Sequence, residues 1–421
     1  MTHLLARRRA VPSLIAGAAL VALAVGLQSA QSSRGTARLA EAGRCHKGSV
    51  AARIGGKRLC LRTGQRCKKR FERQYRRHGF HCKAGHLRKV RKHPPPPPSP
   101  PQPPPPLTAL TGTGGLHSTI GVRLPGIPVG SALGFGSYWV RIAPGFSLYR
   151  FDTSTGQATA RIEGLQTAPF AFSQYVAAGE GAIWTSNVNS GSVTRIDPAT
   201  NRVVATIRVW PTNFCGPDPS TSCSGPTAIA FTPGAVWVIL HHEWAVVRID
   251  PATNSVVATV SLGSGPPQGP QELTVANGFV YAGGSSGFGG PASLERIDPA
   301  TNVATPVINI ANGCDAKAGM GTHVWVVSGL TACGQGLPAS LLDIDGMSGT
   351  VAGSVPLDNS PYAIAAGWGS VWALTDKLNR IDPTSHAVTG TIQLPGGQSY
   401  MAADARQLWL SVENAVYEIG Q

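Results

Sequence analysis

One heptapeptide, Arg-Ile-Asp-Pro-Ala-Thr-Asn, stands at 195–201, 248–254 and 296–302, followed each time by a run rich in Val, Ala and Thr. Looser copies occupy 150–156, 343–349 and 380–386. Recurrence about every 45 residues marks a repeat architecture, in which each unit buries its apolar face against the next.

Each copy reads as two short strands joined by a tight turn, because β-branched residues flank Asp-Pro-x-Thr. The Asp carboxylate can cap the backbone two residues on, and Pro presets φ. The last turn residue is Asn201, Asn254, Asn302, Gly156, Gly349 or His386, types that tolerate positive φ. Before each copy lies a small residue and an aromatic-bearing strand, as at Gly181–Trp184, Gly234–Trp237 and Gly369–Trp372. This second motif occurs seven times, each preceded by an apolar run. Four strands per unit at this period predict an all-β chain, a seven-bladed β-propeller. The tryptophans are expected between blades, the aspartates as turn caps, and the arginines exposed or bound to neighbouring blades. The last unit lacks a fourth strand, while 118–124 is an orphan strand of the fourth-strand type. That N-terminal strand is expected to close the ring and so remove exposed sheet edges.

The segments before the propeller differ in kind. Residues 1–30 read as a signal peptide, with Arg7–Arg9 ahead of an apolar run at 14–27; a retained anchor is the alternative. No other stretch is long enough to span a membrane, so the mature chain is expected to be exported. Residues 31–93 carry 20 Lys and Arg against 2 acids, a charge of +18. Removing this segment and the three leader arginines from the chain's +15 leaves −6 for the remainder. Cys45, Cys60, Cys67 and Cys82 predict two disulfides in this basic module, with three pairings open. A Cys/His zinc site is the alternative, though the Cys spacings fit no standard pair. Such charge attracts polyanions, here an anionic cell-envelope polymer. Phe71, Tyr75 and Phe80 alternate with basic residues, as on nucleic-acid surfaces. Residues 94–107 are a polyproline linker, a spacer of roughly 40 Å if extended; a Pro-recognition motif is the lesser reading. The propeller is assigned to 108–421.

Ligand sites are expected on the face carrying the loops into each inner strand and between second and third strands. Cys215 and Cys223, and Cys314 and Cys333, are expected to bridge there, either stapling long loops or ordering them for a ligand. His241, His242 and Glu243 could supply a general base or metal ligand, or simply form a solvated loop with Trp244 packing beneath. Further candidates are Phe172, Gln174, Tyr175, Asn213, Phe214, Gln271, Glu272, Asp315, Asn359, Tyr362, Gln398 and Tyr400. No phosphate loop, His-Glu-x-x-His or Cys-x-x-Cys-His motif occurs.

The Arg-Ile-Asp-Pro-Ala-Thr-Asn repeat with Gly-x-Val-Trp resembles the YVTN-type (surface-layer) seven-bladed propellers over about 118–421. The repeats are also similar to those of the virginiamycin B (streptogramin) lyases. That resemblance implies opening of a cyclic depsipeptide by elimination, with a His base and carboxylate-held Mg²⁺. The chemically similar residues here are His241, His242 and Glu243, whereas the lyases draw their His and Glu from more than one blade. The Thr-Gly ending of tryptophan-docking quinoprotein repeats is missing. The basic segment from Cys60 to Cys82 resembles a small module of exported actinobacterial proteins. Two readings follow. One is an exported, envelope-associated scaffold that binds a polar ligand or protein at the loop face without a cofactor. The other is a Mg²⁺-dependent C–O lyase.

Overall fold

Each repeat turn is built by its own aspartate. In the computed structural model, Asp197 accepts from the Ala199 amide and the Thr200 hydroxyl, both at 2.8 Å. Asp250 does the same with Ala252 and Thr253. These bonds, the backbone amide foremost, hold both carboxyls below the ordinary aspartate range. The residue closing the turn is left-handed, with φ of 57°, 54°, 56° and 56° at Asn201, Asn254, Asn302 and His386. Gly156 and Gly349 take the same place.

The structure describes residues 45–90, 107–143, 145–165, 175–210, 225–263, 272–284, 292–310, 313–329, 339–396 and 399–421. They belong to two compact units, one within Met1–Pro103 and one within Pro104–Gln421. Residues 1–30, read above as a signal peptide, the polyproline run and the Cys215, Cys223 and Cys333 positions lie outside the described residues.

The larger unit is a seven-bladed β-propeller of four-stranded antiparallel sheets. Six sheets use four consecutive strands; blade 3, for example, comprises Pro226–Thr232, Ala235–Leu240, Ala245–Asp250 and Ser255–Ser261. The seventh joins Ser399–Ala403, Leu408–Val412 and Ala415–Gly420 to His117–Arg123 from the other end of the chain. Its register places Val416 opposite Val122 and Ala415 opposite Arg123. The inner strands touch in sequence around the ring, blade 7 returning to blade 1. Ahead of the closing strand, Leu110 and Leu116 are buried with Trp372, Leu374, Ile392 and Leu394. The orphan strand of the sequence is thus the outer strand of the last blade.

The aromatic strands form the inter-blade core. Trp139, Trp184, Trp237, Trp325, Trp372 and Trp409 are all 0% exposed, and Tyr281 takes the place in blade 4. Opposite each of the first three stands the repeat arginine, its guanidinium 5.0–5.3 Å above the indole. That arginine also latches its blade to the next. Arg150 donates to Pro198 O at 2.7 Å and Asn201 Oδ1 at 3.1 Å. Arg248 donates likewise to Pro299 O and Asn302 Oδ1, and Arg195 to Pro251 O and Asn254 Oδ1. Blade 7 has no such turn, so Arg380 instead reaches Gly114 O and Gln421 Oε1.

Blade 5 reverses the polarity of the latch. Asp343 stands where the arginine would, opposite Trp325. Its carboxylate, 4% exposed, accepts from His323 Nδ1 at 2.6 Å and His386 Nε2 at 2.9 Å. His386 is the turn-closing residue of blade 6, the place of asparagine elsewhere. An acceptor replaces a donor in one blade, and a donor replaces an acceptor in the next. The imidazole also explains Gly353, where a Cβ would fall 2.4 Å from His386 Nε2.

The smaller unit has two hairpins, Val50–Ile54 with Lys57–Leu61 and Phe80–Lys83 with His86–Lys89, and one helix, Glu72–Arg77. The pairing left open by the sequence is Cys45–Cys60 and Cys67–Cys82. The cysteines are therefore disulfide-bonded and hold no zinc. Six buried apolar residues form its core: Ala52, Ile54, Leu61, Tyr75, Phe80 and Leu87. Two of the three aromatics whose alternation with basic residues resembles a nucleic-acid surface, Tyr75 and Phe80, are thus inside, because so short a chain needs its large rings for its core. The described residues include no helix long and apolar enough to cross a membrane.

Candidate functional site

The inner strands begin at the loop face, so their first residues ring the channel mouth. Tyr175 precedes the inner strand of blade 2, and Glu272 starts that of blade 4. The two meet across blade 3, Tyr175 Oη donating to Glu272 Oε1 at 2.8 Å. On the other side, Tyr362 and Tyr400 precede and enter the inner strands of blades 6 and 7. Burial raises the pKa of both phenols. Tyr400 is pushed to about 12, with the neighbouring Tyr362 adding to the effect of burial. Both are therefore neutral hydroxyls at physiological pH, able to donate and accept. Asn359 donates to Asp376 Oδ1 at 2.7 Å, joining the loop into blade 6 to its second turn. That bond, foremost, lowers the Asp376 pKa.

The His-His-Glu loop is a 3-10 turn, His241–Glu243, followed by Trp244 at φ 47°. His241 is half-buried and Glu243 exposed. Trp244 packs with Tyr175 against the core between blades 3 and 4. The His242 side chain lies outside the described atoms, as do those of Cys314 and Asp315. Phe172, Gln174, Asn213, Phe214, Gln271 and Gln398 also lie outside. Among the described residues, no three of His, Cys, Asp and Glu gather at metal-binding distance. The described donors therefore do not make the Mg²⁺ site that the lyase resemblance implies, and no step through magnesium follows.

Three charged groups escaped the sequence reading. Lys317, on the inner strand of blade 5, is 7% exposed and donates to Gly283 O at 3.2 Å. Glu295 in blade 4 is half-buried, and burial raises its pKa. Arg141 in blade 1 is 0% exposed, donates to Ser186 O at 3.1 Å, and has its pKa lowered to about 10 by burial. None stands at a repeat-conserving position, so only the mismatch of a charge inside an apolar or small-residue strand could have marked them. At the starts of the inner strands the described residues thus include the phenols of Tyr175, Tyr362 and Tyr400 and the carboxylate of Glu272.

No protein-family model matches the chain, and no curated protein does. Solved structures do. One described as a streptogramin B lyase structure superposes with a TM-score of 0.54 at 13% identity, covering 74% of this chain and 98% of that one. The hydrazine synthase of Kuenenia stuttgartiensis reaches a TM-score of 0.45 at 16% identity over 63% of this chain and 79% of its own. At such identity the likeness to the lyase establishes a shared propeller fold.

Proposed function

We propose that this is an exported binding propeller that takes a polar ligand at the mouth of its channel. The carrying observation is the Tyr175–Glu272 hydrogen bond, which brings groups from blades 2 and 4 together beneath the loops. Tyr362 and Tyr400 supply neutral hydroxyls and ring faces on the opposite rim. Aromatic faces beside hydrogen-bonding groups suit a glycan or peptide chain. The two disulfides of the basic module are compatible with an extracellular setting.

The fold likeness supports a second reading, cleavage of a cyclic depsipeptide, with His241, His242 and Glu243 as the chemically suited residues. One assay separates the two. Titration calorimetry against wall glycan and stem-peptide fragments is expected to find a ligand whose affinity falls about tenfold in Tyr175→Phe, the loss of one hydrogen bond. Incubation with a streptogramin B and Mg²⁺ is expected to leave the ring intact by mass spectrometry. Ring opening that is lost in His241→Ala or His242→Ala would overturn the binding reading.

A further inference from the structure

The basic module shows how it would grip a partner. Residues 45–90 hold fifteen Lys and Arg and one acid, Glu72. Every one of those fifteen side chains belongs to an exposed residue. Glu72 is committed within the module. Its carboxylate accepts from the Cys82 amide and from Arg76 Nε, both at 2.8 Å. The amide bond is the main reason its pKa is lowered.

The hairpins place basic residues directly opposite each other, and in the first of them two arginines. In the first, Arg53 pairs with Arg58. In the second, His81 pairs with Arg88 and Lys83 with His86. In both, the alternate residues Ala52, Ile54, Phe80 and Leu87 are buried, so these basic pairs share the sheet faces turned away from the core. Two arginines facing across a ladder oppose folding. The module holds this repulsion on a core of six residues and two disulfides. An external polyanion relieves it.

The aromatics argue against single-stranded nucleic acid. Recognition of single-stranded nucleic acid uses exposed rings as base platforms. Here Tyr75 and Phe80 are 5% and 1% exposed. Phe71 lies against Gly55, where a Cβ would fall 2.6 Å from the ring, with Arg70 4.9 Å above its centre. The helix Glu72–Arg77 buries only Tyr75 and so offers no apolar stripe for a lipid surface.

We propose that the two basic hairpin faces bind a linear, base-free phosphodiester polymer of the cell envelope by charge alone. The choice of an envelope polymer rests on the exported reading, whereas charge recognition does not.

The test uses the mature full-length protein and immobilised poly(glycerol phosphate). Wild-type affinity is expected to fall at least roughly tenfold from low to physiological salt, as bound counterions are no longer released to advantage. The triple variant Arg53→Ser, Arg58→Ser, Arg88→Ser is expected to bind about tenfold more weakly, with a melting temperature unchanged or raised because the opposed charges are gone. A triple variant that binds like wild type would overturn the proposal. So would tighter binding of oligo(dT) or phosphatidylglycerol vesicles at matched charge. Ligand titration at the propeller mouth is unaffected by this variant, so failure here and failure of the propeller reading are told apart.

Discussion

A chain beginning at Leu124 is expected to give no folded monomer, whereas one beginning at Pro104 folds. The difference is 20 residues that hold the ring shut. They include His117–Arg123, the outer strand of blade 7, with its six paired positions along Ala415–Gly420. Thr119 Oγ1 donates to Glu418 Oε2 at 2.6 Å. Leu110 and Leu116 are 7% and 1% exposed, and Gly114 O receives the Arg380 guanidinium. Burying the two leucines alone is worth about 3–6 kcal/mol. Adding a strand's hydrogen bonds brings the loss to the order of a domain's whole stability, about 5–15 kcal/mol. The shortened chain also bares the edge of Ala415–Gly420, so soluble aggregates are the expected form. Size-exclusion chromatography and a thermal melt of the two chains decide it. A Leu124 chain that is monomeric and melts like the Pro104 chain would be the contrary result.

The second large effect is expected from Trp237→Ala, about 3–5 kcal/mol less stable. The indole is 0% exposed, and its Nε1 donates to Thr232 Oγ1 at 2.9 Å. Arg248 lies over the ring at 5.3 Å and reaches Pro299 O at 2.7 Å in the next blade. Removing the ring therefore leaves a cavity and frees the arginine that joins blades 3 and 4. Urea denaturation should show a lower midpoint with an unchanged slope. A loss below about 1 kcal/mol would mean that this seam is not packed as described.

The fold was legible because the chain states its rules several times. Asn201, Asn254 and Asn302 mark the left-handed turn residue by repetition, and the unmatched 118–124 strand marks closure by exception. The Asp343–His386 exchange was legible in principle, since Arg-Ile-Asp becomes Asp-Ile-Asp in the same seam where asparagine becomes His386. It is hard to read because each histidine belongs to a turn of its own, and the carboxylate they share is brought to them only by the packing of blade 5 on blade 6. The site was less legible for a physical reason. Ligand-facing residues sit where the repeat is broken, in loops of unequal length, so no copy predicts another. Tyr175, Glu272, Tyr362 and Tyr400 could be placed because they adjoin inner strands. Lys317, Glu295 and Arg141 could not, because a strand's alternation gives the face of a side chain but not its neighbours in the next blade. In the basic module the charge was plain from composition, but the Arg53–Arg58 opposition depended on a register the sequence did not fix.

Hydrogen exchange at the closing strand tests the ring most directly. The amides of 117–123 that bond to Ala415–Gly420 are expected to be strongly protected along with those of Leu408–Val412, since both sets then open only when the propeller unfolds. Exchange of 117–123 at the rate of a free peptide, with Leu408–Val412 still protected, would show that the last blade is not completed from the other end of the chain.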